Sequence, residues 1–164
     1  MKPIEVIKLK REHLARLANQ SGSTGEYRAV DKMTNWLPRP RGEGLKILLL
    51  ALKESGVEIK GSSFDAVALP KGLTIDFTDF RKVKKMLPEM IFIEIKSASQ
   101  SRVKKDFSGF FFALTESEIS AAQALGERHK VALYNKLTGQ ILISSVPEIV
   151  ERAKSTNWQV SVQL

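Results

Sequence analysis

An α/β fold built on a mixed sheet is predicted by three observations. Leu45, Leu48, Leu49 and Leu52 recur at helical spacing. Short period-two runs, FDAVAL (64–69), LTIDF (73–77), IFIEIKS (91–97) and VALY (131–134), read as strands. Between and after the strands lie helix-start signals, Asp79 and the Thr115-x-x-Glu118 capping box.

Taken in order, residues 4–18 place Ile4, Ile7, Leu14 and Leu17 among Lys8, Lys10, Arg11 and Arg16, the pattern of a basic amphipathic helix. The stretch 19–25 (NQSGSTG) breaks it. The run WLPRPRG (36–42), rich in turn formers and cations, reads as an irregular connection whose arginines are free to contact phosphates or water. From Glu43 a helix runs to Gly56, which stops it, and Val57 to Ile59 begins a strand. Pro70-Lys71-Gly72 suits a tight turn, so 64–69 and 73–77 read as a hairpin. Asp79 caps a helix to about Leu87, ended by Pro88, and IFIEIKS follows. After a polar loop and Phe110-Phe111-Phe112, the capping box opens a helix to about Leu125, stopped by Gly126. The three phenylalanines read as core, since alternation buries at least one of them. Val131–Tyr134 and Gln140–Ser144 then form a hairpin, Pro147 opens another helix, and residues 158–162 close on a strand.

The chain has 164 residues, 43% hydrophobic and 27% charged, the composition of one ordinary globular domain. The division expected is a basic N-terminal helix and connection (1–42), a core (43–135) and a C-terminal addition (136–164). The longest apolar run, 47–52, falls far short of the roughly 20 residues of a spanning helix, and no secretory signal opens the chain. No membrane association and a cytoplasmic location are the expectation. With no cysteine and only His13 and His129, thiolate chemistry and the usual zinc sites are excluded, so a metal would sit on oxygen ligands. The formal charge is +8. Residues 1–42 hold nine Lys and Arg against four acids, a bias toward an anionic partner, nucleic acid first.

The chemistry-bearing pattern is Glu94-Ile95-Lys96. On a strand, Phe92, Glu94 and Lys96 share one face and Ile91, Ile93 and Ile95 the other. A lone Glu-x-Lys is commonly a surface pair worth under about 1 kcal/mol. Asp65 changes the weight of it, because alternation on FDAVAL sets Asp65 beside Val67 and Leu69, where an unpaired carboxylate costs several kcal/mol unless a cation or hydrogen bonds compensate. Asp76 is the substitute acid, on the face opposite Leu73, Ile75 and Phe77, and reads as the solvent side of the hairpin. Glu43 in a helix's first turn is favoured by the dipole whatever its role. Gln123 reads as surface.

This order of elements, with Glu-x-Lys on the third strand and an acid on the second, resembles the PD-(D/E)xK nuclease superfamily over roughly residues 43–135. The resemblance implies a restriction endonuclease-like core of order αβββαβ, with an extra N-terminal helix and a C-terminal hairpin, helix and strand. It also implies Mg²⁺ or Mn²⁺ held by Asp65, Glu94 and the Ile95 carbonyl, with Lys96 beside the attacking water. Glu43 is similar to the helix glutamate that junction resolvases aim at the metal. The stretch from Phe110 through Glu118 to Tyr134 resembles the second half of restriction-type domains. The substrate implied is double-stranded DNA. A chain this small, similar in size and layout to the small subunits of heterodimeric type IIS restriction and nicking enzymes, implies a larger recognition subunit or a homodimer. A Holliday junction resolvase and a non-catalytic DNA-binding module are the alternatives. HNH and GIY-YIG nucleases lack their ligand sets here, and no G-x-x-x-x-G-K loop is present.

Overall fold

The alternating runs assemble into one five-stranded sheet with four helices against it. The structure is a computed structural model describing residue 33 and residues 35–156; the expected helix 4–18 and closing strand 158–162 lie outside the described residues. The strands are β1 (Trp36–Pro38), β2 (Ala66–Ala68), β3 (Ile91–Ala98), β4 (His129–Asn135) and β5 (Gln140–Ser144), adjacent in that order. All neighbours are antiparallel except β3 and β4, which run parallel. The helices are α1 (Gly42–Glu54), α2 (Phe80–Met86), α3 (Glu116–Leu125) and α4 (Val146–Arg152). The mixed α/β class is as expected. The element order among the described residues, however, runs βαβαβαββα, and αβββαβ is not reproduced.

Helix α1 buries Leu48, Ala51 and Leu52, with Leu45 and Leu49 half-buried beside them, as the leucine stripe requires. Its end is a Schellman motif: the Val57 amide reaches the Leu52 carbonyl at 3.0 Å and the Gly56 amide reaches Lys53 at 3.0 Å. Gly56 takes a φ of +84° there, a left-handed conformation that disfavours other residues. This stop consumes the chain expected as a strand at 57–59, and Val57 and Ile59 instead fill space under α1.

The expected hairpin 64–69/73–77 also does not form. Its turn does, with Gly72 at φ +82° and the Leu73 amide on Pro70 at 3.1 Å. But β2 already pairs with β3 on one edge and β1 on the other, leaving LTIDF no free edge. Asn35 and Leu69 extend the β1–β2 pairing, the Leu69 amide bonding the Asn35 carbonyl at 3.0 Å and Asn35 Nδ2 the Leu69 carbonyl at 3.1 Å. Ile75 and Phe77 drop into the core as loop residues. Trp36–Pro38, expected as an irregular connection, is thus an edge strand, where proline is tolerated because one side of the strand makes no ladder.

Val67 and Phe92, opposite each other on β2 and β3, face Leu48, Leu52, Val83, Ala121 and Leu125 of α1, α2 and α3. Phe64 meets Phe92 edge-on, ring centroids 5.2 Å apart. Val131 and Leu133 on the same sheet face meet Val146 of α4 and Phe107. Ala66, Ala68, Ile93, Ile95, Ala132 and Tyr134 form a separate buried cluster on the reverse face.

The capping box expected at Thr115 is present: Thr115 Oγ1 accepts from the Glu118 amide at 3.3 Å while Glu118 Oε2 accepts from the Thr115 amide at 2.9 Å. Replacing Thr115 with Ala removes one of the two bonds, and equilibrium urea unfolding should show a loss of about 1 kcal/mol.

Candidate functional site

The β2–β3 register pairs Ala66 with Ile93 and Val67 with Phe92, and Asp65, the residue just before β2, lies close enough to Glu94 for its charge to act on it. Glu94 stands on the helix-covered face, where it shares Lys96 with Glu118 of α3. Asp65 is anchored through its backbone as well: its amide donates to the Ile93 carbonyl at 2.8 Å, and its carbonyl accepts from the Arg39 amide at 2.8 Å. Its side chain turns along β3, with Oδ2 accepting from the Ile95 amide at 2.8 Å. Since Ile93 and Ile95 both aim backbone groups at this edge, strand periodicity brings the Ile95 carbonyl to the Asp65 side as well.

Lys96 lies two residues from Glu94 on the same face. Its Nζ stands 2.9 Å from Glu94 Oε1 and 2.8 Å from Glu118 Oε2. Glu118 reaches it because the parallel β3–β4 pair is joined by a crossover whose helix, α3, starts above the C-terminal half of β3. One oxygen of Glu118 therefore serves both the helix cap and the lysine.

Glu94 is only 5% exposed, and its Oε2 is a buried oxygen with no hydrogen-bond partner. Burial, then the neighbouring Asp65 carboxylate, push its pKa up to about 9, against the help of Lys96. Asp65 is also raised, burial outweighing the Ile95 amide and the Arg39 and Lys96 charges. Burial and the Asp65 charge thus favour the protonated form of Glu94 at neutral pH. Lys96 behaves oppositely: burial disfavours its charge, but Glu94 and Glu118 outweigh burial and raise its pKa. Glu118 is lowered despite burial, by the Lys96 ammonium and the Thr115 amide. The result is an ammonium fixed between two oxygens, beside a pair of carboxyls that cannot both ionise at no cost.

Among the described residues no group of three or more His, Cys, Asp or Glu side chains is arranged to hold a metal ion. The donors present at the site are the carboxylates of Asp65 and Glu94 and the Ile95 carbonyl, Glu118 being engaged by Lys96 and its own helix. An all-oxygen set of this size fits a hard dication that keeps water or takes phosphate oxygens in its remaining positions. The orphaned Glu94 Oε2 is an oxygen a dication would coordinate, displacing the proton that burial favours on Glu94.

The other sequence candidates fall elsewhere. The side chain of Glu43 is 67% exposed and pairs with Lys46 at 3.6 Å; it is not among the charges acting on Asp65 or Glu94. Glu43 is therefore not part of the cluster, because Gly42 opens α1 with that turn pointing to solvent. Asp76 is exposed and accepts from the Thr78 amide and hydroxyl at 2.9 and 2.6 Å, bending the chain toward α2. Gln123 is exposed.

Two residues at the site were not singled out by sequence. Glu118 was legible as a cap, and the helix-after-strand order is the signal that could have placed it over β3. Arg39 looked like a free cation, yet its Nη1 donates to the Gly61 and Phe64 carbonyls at 3.0 and 2.9 Å, fixing the turn that delivers Asp65. Nothing in the sequence marks that role. His129, below Glu94 on the same sheet face, is 1% exposed and kept neutral by burial.

No family model, no curated protein and no solved structure matches this chain.

Proposed function

We propose that this protein is a metal-dependent endodeoxyribonuclease, hydrolysing DNA phosphodiester bonds at Asp65, Glu94 and Lys96. One observation carries the reading: two carboxyls of adjacent strands face each other in a buried niche, one oxygen orphaned, with a charged lysine held alongside. Bound there, a Mg²⁺ or Mn²⁺ ion would supply Lewis-acid neutralisation of the phosphate and an acidified water.

The side chains divide the remaining work. Asp65 and Glu94 would hold the ion, and the Ile95 amide bond keeps Asp65 from rotating away. Lys96 is protonated, so it orients the attacking water and offsets charge on the phosphoryl oxygens and does not accept the proton. Glu118 holds Lys96 independently of Glu94, so the lysine would stay in place with Glu94 engaged elsewhere. One such centre lies among the described residues, so each chain would cut one strand. A restriction endonuclease unit acting with a larger recognition subunit, or as a two-fold dimer, fits that stoichiometry. The outward position of Glu43 weakens one of the two features that favour a junction resolvase, the abundance of cations being the other.

No described helix is long and apolar enough to cross a membrane, and the formal charge of +8 favours a polyanion. The test is relaxation of supercoiled plasmid with Mg²⁺ or Mn²⁺, with and without co-expressed neighbouring gene products. Wild-type protein should nick, EDTA should stop it, and Lys96→Ala should not nick. Nicking that survives Lys96→Ala overturns the assignment.

A further inference from the structure

The chain between β3 and α3 folds back on itself next to the site. Gln100 Nε2 donates to the Phe111 carbonyl at 3.1 Å, and its Oε1 accepts from the Phe111 amide at 3.2 Å. Gln100 is itself held by Asn135 Nδ2 on its carbonyl at 3.3 Å. Farther out, the Lys104 amide bonds the Ser108 carbonyl at 3.1 Å, and a Cβ on Gly109 would stand 3.6 Å from the Arg102 carbonyl. The excursion is thus pinned along its length.

Three phenylalanines stand at its return. Phe110 and Phe112 pack into the cluster of Phe107, Val131, Leu133 and Val146, their rings 5.8 Å apart. Phe111 projects the other way and is 79% exposed, the most exposed of the large hydrophobic residues described. Its backbone is clamped at both amide and carbonyl, so the ring is presented from a fixed base. Phe111 lies four residues before Thr115, a reach of at most roughly 14 Å from the helix start that binds Lys96. Arg102, Lys104 and Lys105 are exposed on the same excursion, with no ion pair among the described residues.

We infer that Phe111 is a nucleobase-stacking residue, which receives an unstacked base of the DNA strand beside the scissile phosphate while Arg102, Lys104 and Lys105 hold the flanking backbone. An aromatic ring offered to solvent among cations matches the two parts of a nucleotide, a π face and a phosphate. Within a continuous duplex both faces of a base are covered, so the ring favours a base that is already unpaired. The inference rests on the proposed reading that the site binds DNA, and the stacking itself needs no hydrolysis, the scissile phosphate marking only where on the bound strand the base lies.

The experiment is equilibrium binding of the full chain to fluorescein-labelled duplex DNA, with and without an unpaired thymine bulge, in Ca²⁺ to suppress cleavage. Wild type should prefer the bulged duplex. Phe111→Ala should weaken binding to it about tenfold and erase the preference, with Phe111→Trp restoring both. The dependence of log K on log salt should be unchanged in Phe111→Ala, whereas each Ala at Arg102, Lys104 or Lys105 should lower its slope by about one. Thermal unfolding of Phe111→Ala should match wild type, since the ring is solvent-exposed. Wild-type affinity in Phe111→Ala overturns the inference, as does the absence of DNA binding by wild type. So does a substitution that leaves DNA binding intact and dissociates an oligomer, which would assign the ring to a protein contact. A wild type that binds with bulge preference yet never nicks plasmid defeats the hydrolytic reading and leaves the stacking role standing; nicking by wild type with unchanged binding by Phe111→Ala does the reverse.

Discussion

Glu94→Gln should make the metal-free protein more stable at alkaline pH while abolishing its response to Mg²⁺ and its nicking. The physical basis is the carboxyl whose pKa is pushed up to about 9, mainly by burial and then by Asp65. A folded-state pKa above the ordinary value of 4.5 means that folding favours the protonated form. Stability from this group is fully present below the ordinary value and is lost as pH rises through about 9. Glutamine has the shape of the protonated acid and never ionises. Melting of wild type in EDTA should therefore fall across that window, while Glu94→Gln stays flatter and, at the alkaline end, melts higher by about 5 °C, the shift that about 1.5 kcal/mol produces in a domain of this size. Lys96 retains Glu118 in the variant, so its charge is not stranded. Added Mg²⁺ should raise the melting temperature of wild type, by displacing the proton, and leave the variant unmoved. A Glu94→Gln protein less stable than wild type throughout would mean that Glu94 is an ordinary ion-pair partner of Lys96.

Lys96→Ala should lower the plasmid nicking rate by about 10²–10³-fold, the usual effect of deleting one preorganised charge at a developing oxyanion. DNA affinity measured in Ca²⁺ should change little, because the ammonium is buried between two acids and is not a free phosphate contact. The same substitution leaves Glu94 and Glu118 facing each other without their shared cation, so metal-free stability should also fall. Lys96→Arg separates the effects: it keeps a charge but cannot fit the distances of 2.8 and 2.9 Å on both sides with a planar group, and it should stay slow. Equal losses in affinity and rate would make Lys96 a binding residue and remove it from the chemistry.

Much of the site was legible because it depends on period two. The face shared by Phe92, Glu94 and Lys96 follows from alternation alone and is present, and Asp65, just before β2, is turned to that site by the Ile95 amide. The leucine stripe of α1, its stop at Gly56, and the Thr115–Glu118 box are equally local and were found. What escaped depends on partners distant in sequence. LTIDF alternates like a strand, yet it is a loop because Trp36–Pro38 occupies the edge it would need. WLP holds a proline and precedes a basic turn, so its strand character comes only from the β2 edge it pairs with. Glu118 reads as a cap from its spacing to Thr115, and its second role exists only because a parallel crossover sets α3 over β3. Glu43 lies outside the cluster for a similar reason: its place in a helix's first turn is local, whereas the direction of that turn is set by how α1 enters from β1.

Displacement of the Glu94 proton by a dication at Asp65 and Glu94 is tested most directly by calorimetric titration of Mn²⁺ into the metal-free protein, in mildly alkaline buffers of differing ionisation enthalpy. The expected result is saturable binding by wild type with buffer-dependent heat reporting proton release, and neither in the Asp65→Asn, Glu94→Gln double variant. Binding of equal strength in the double variant, or binding by wild type with no proton released, would contradict it.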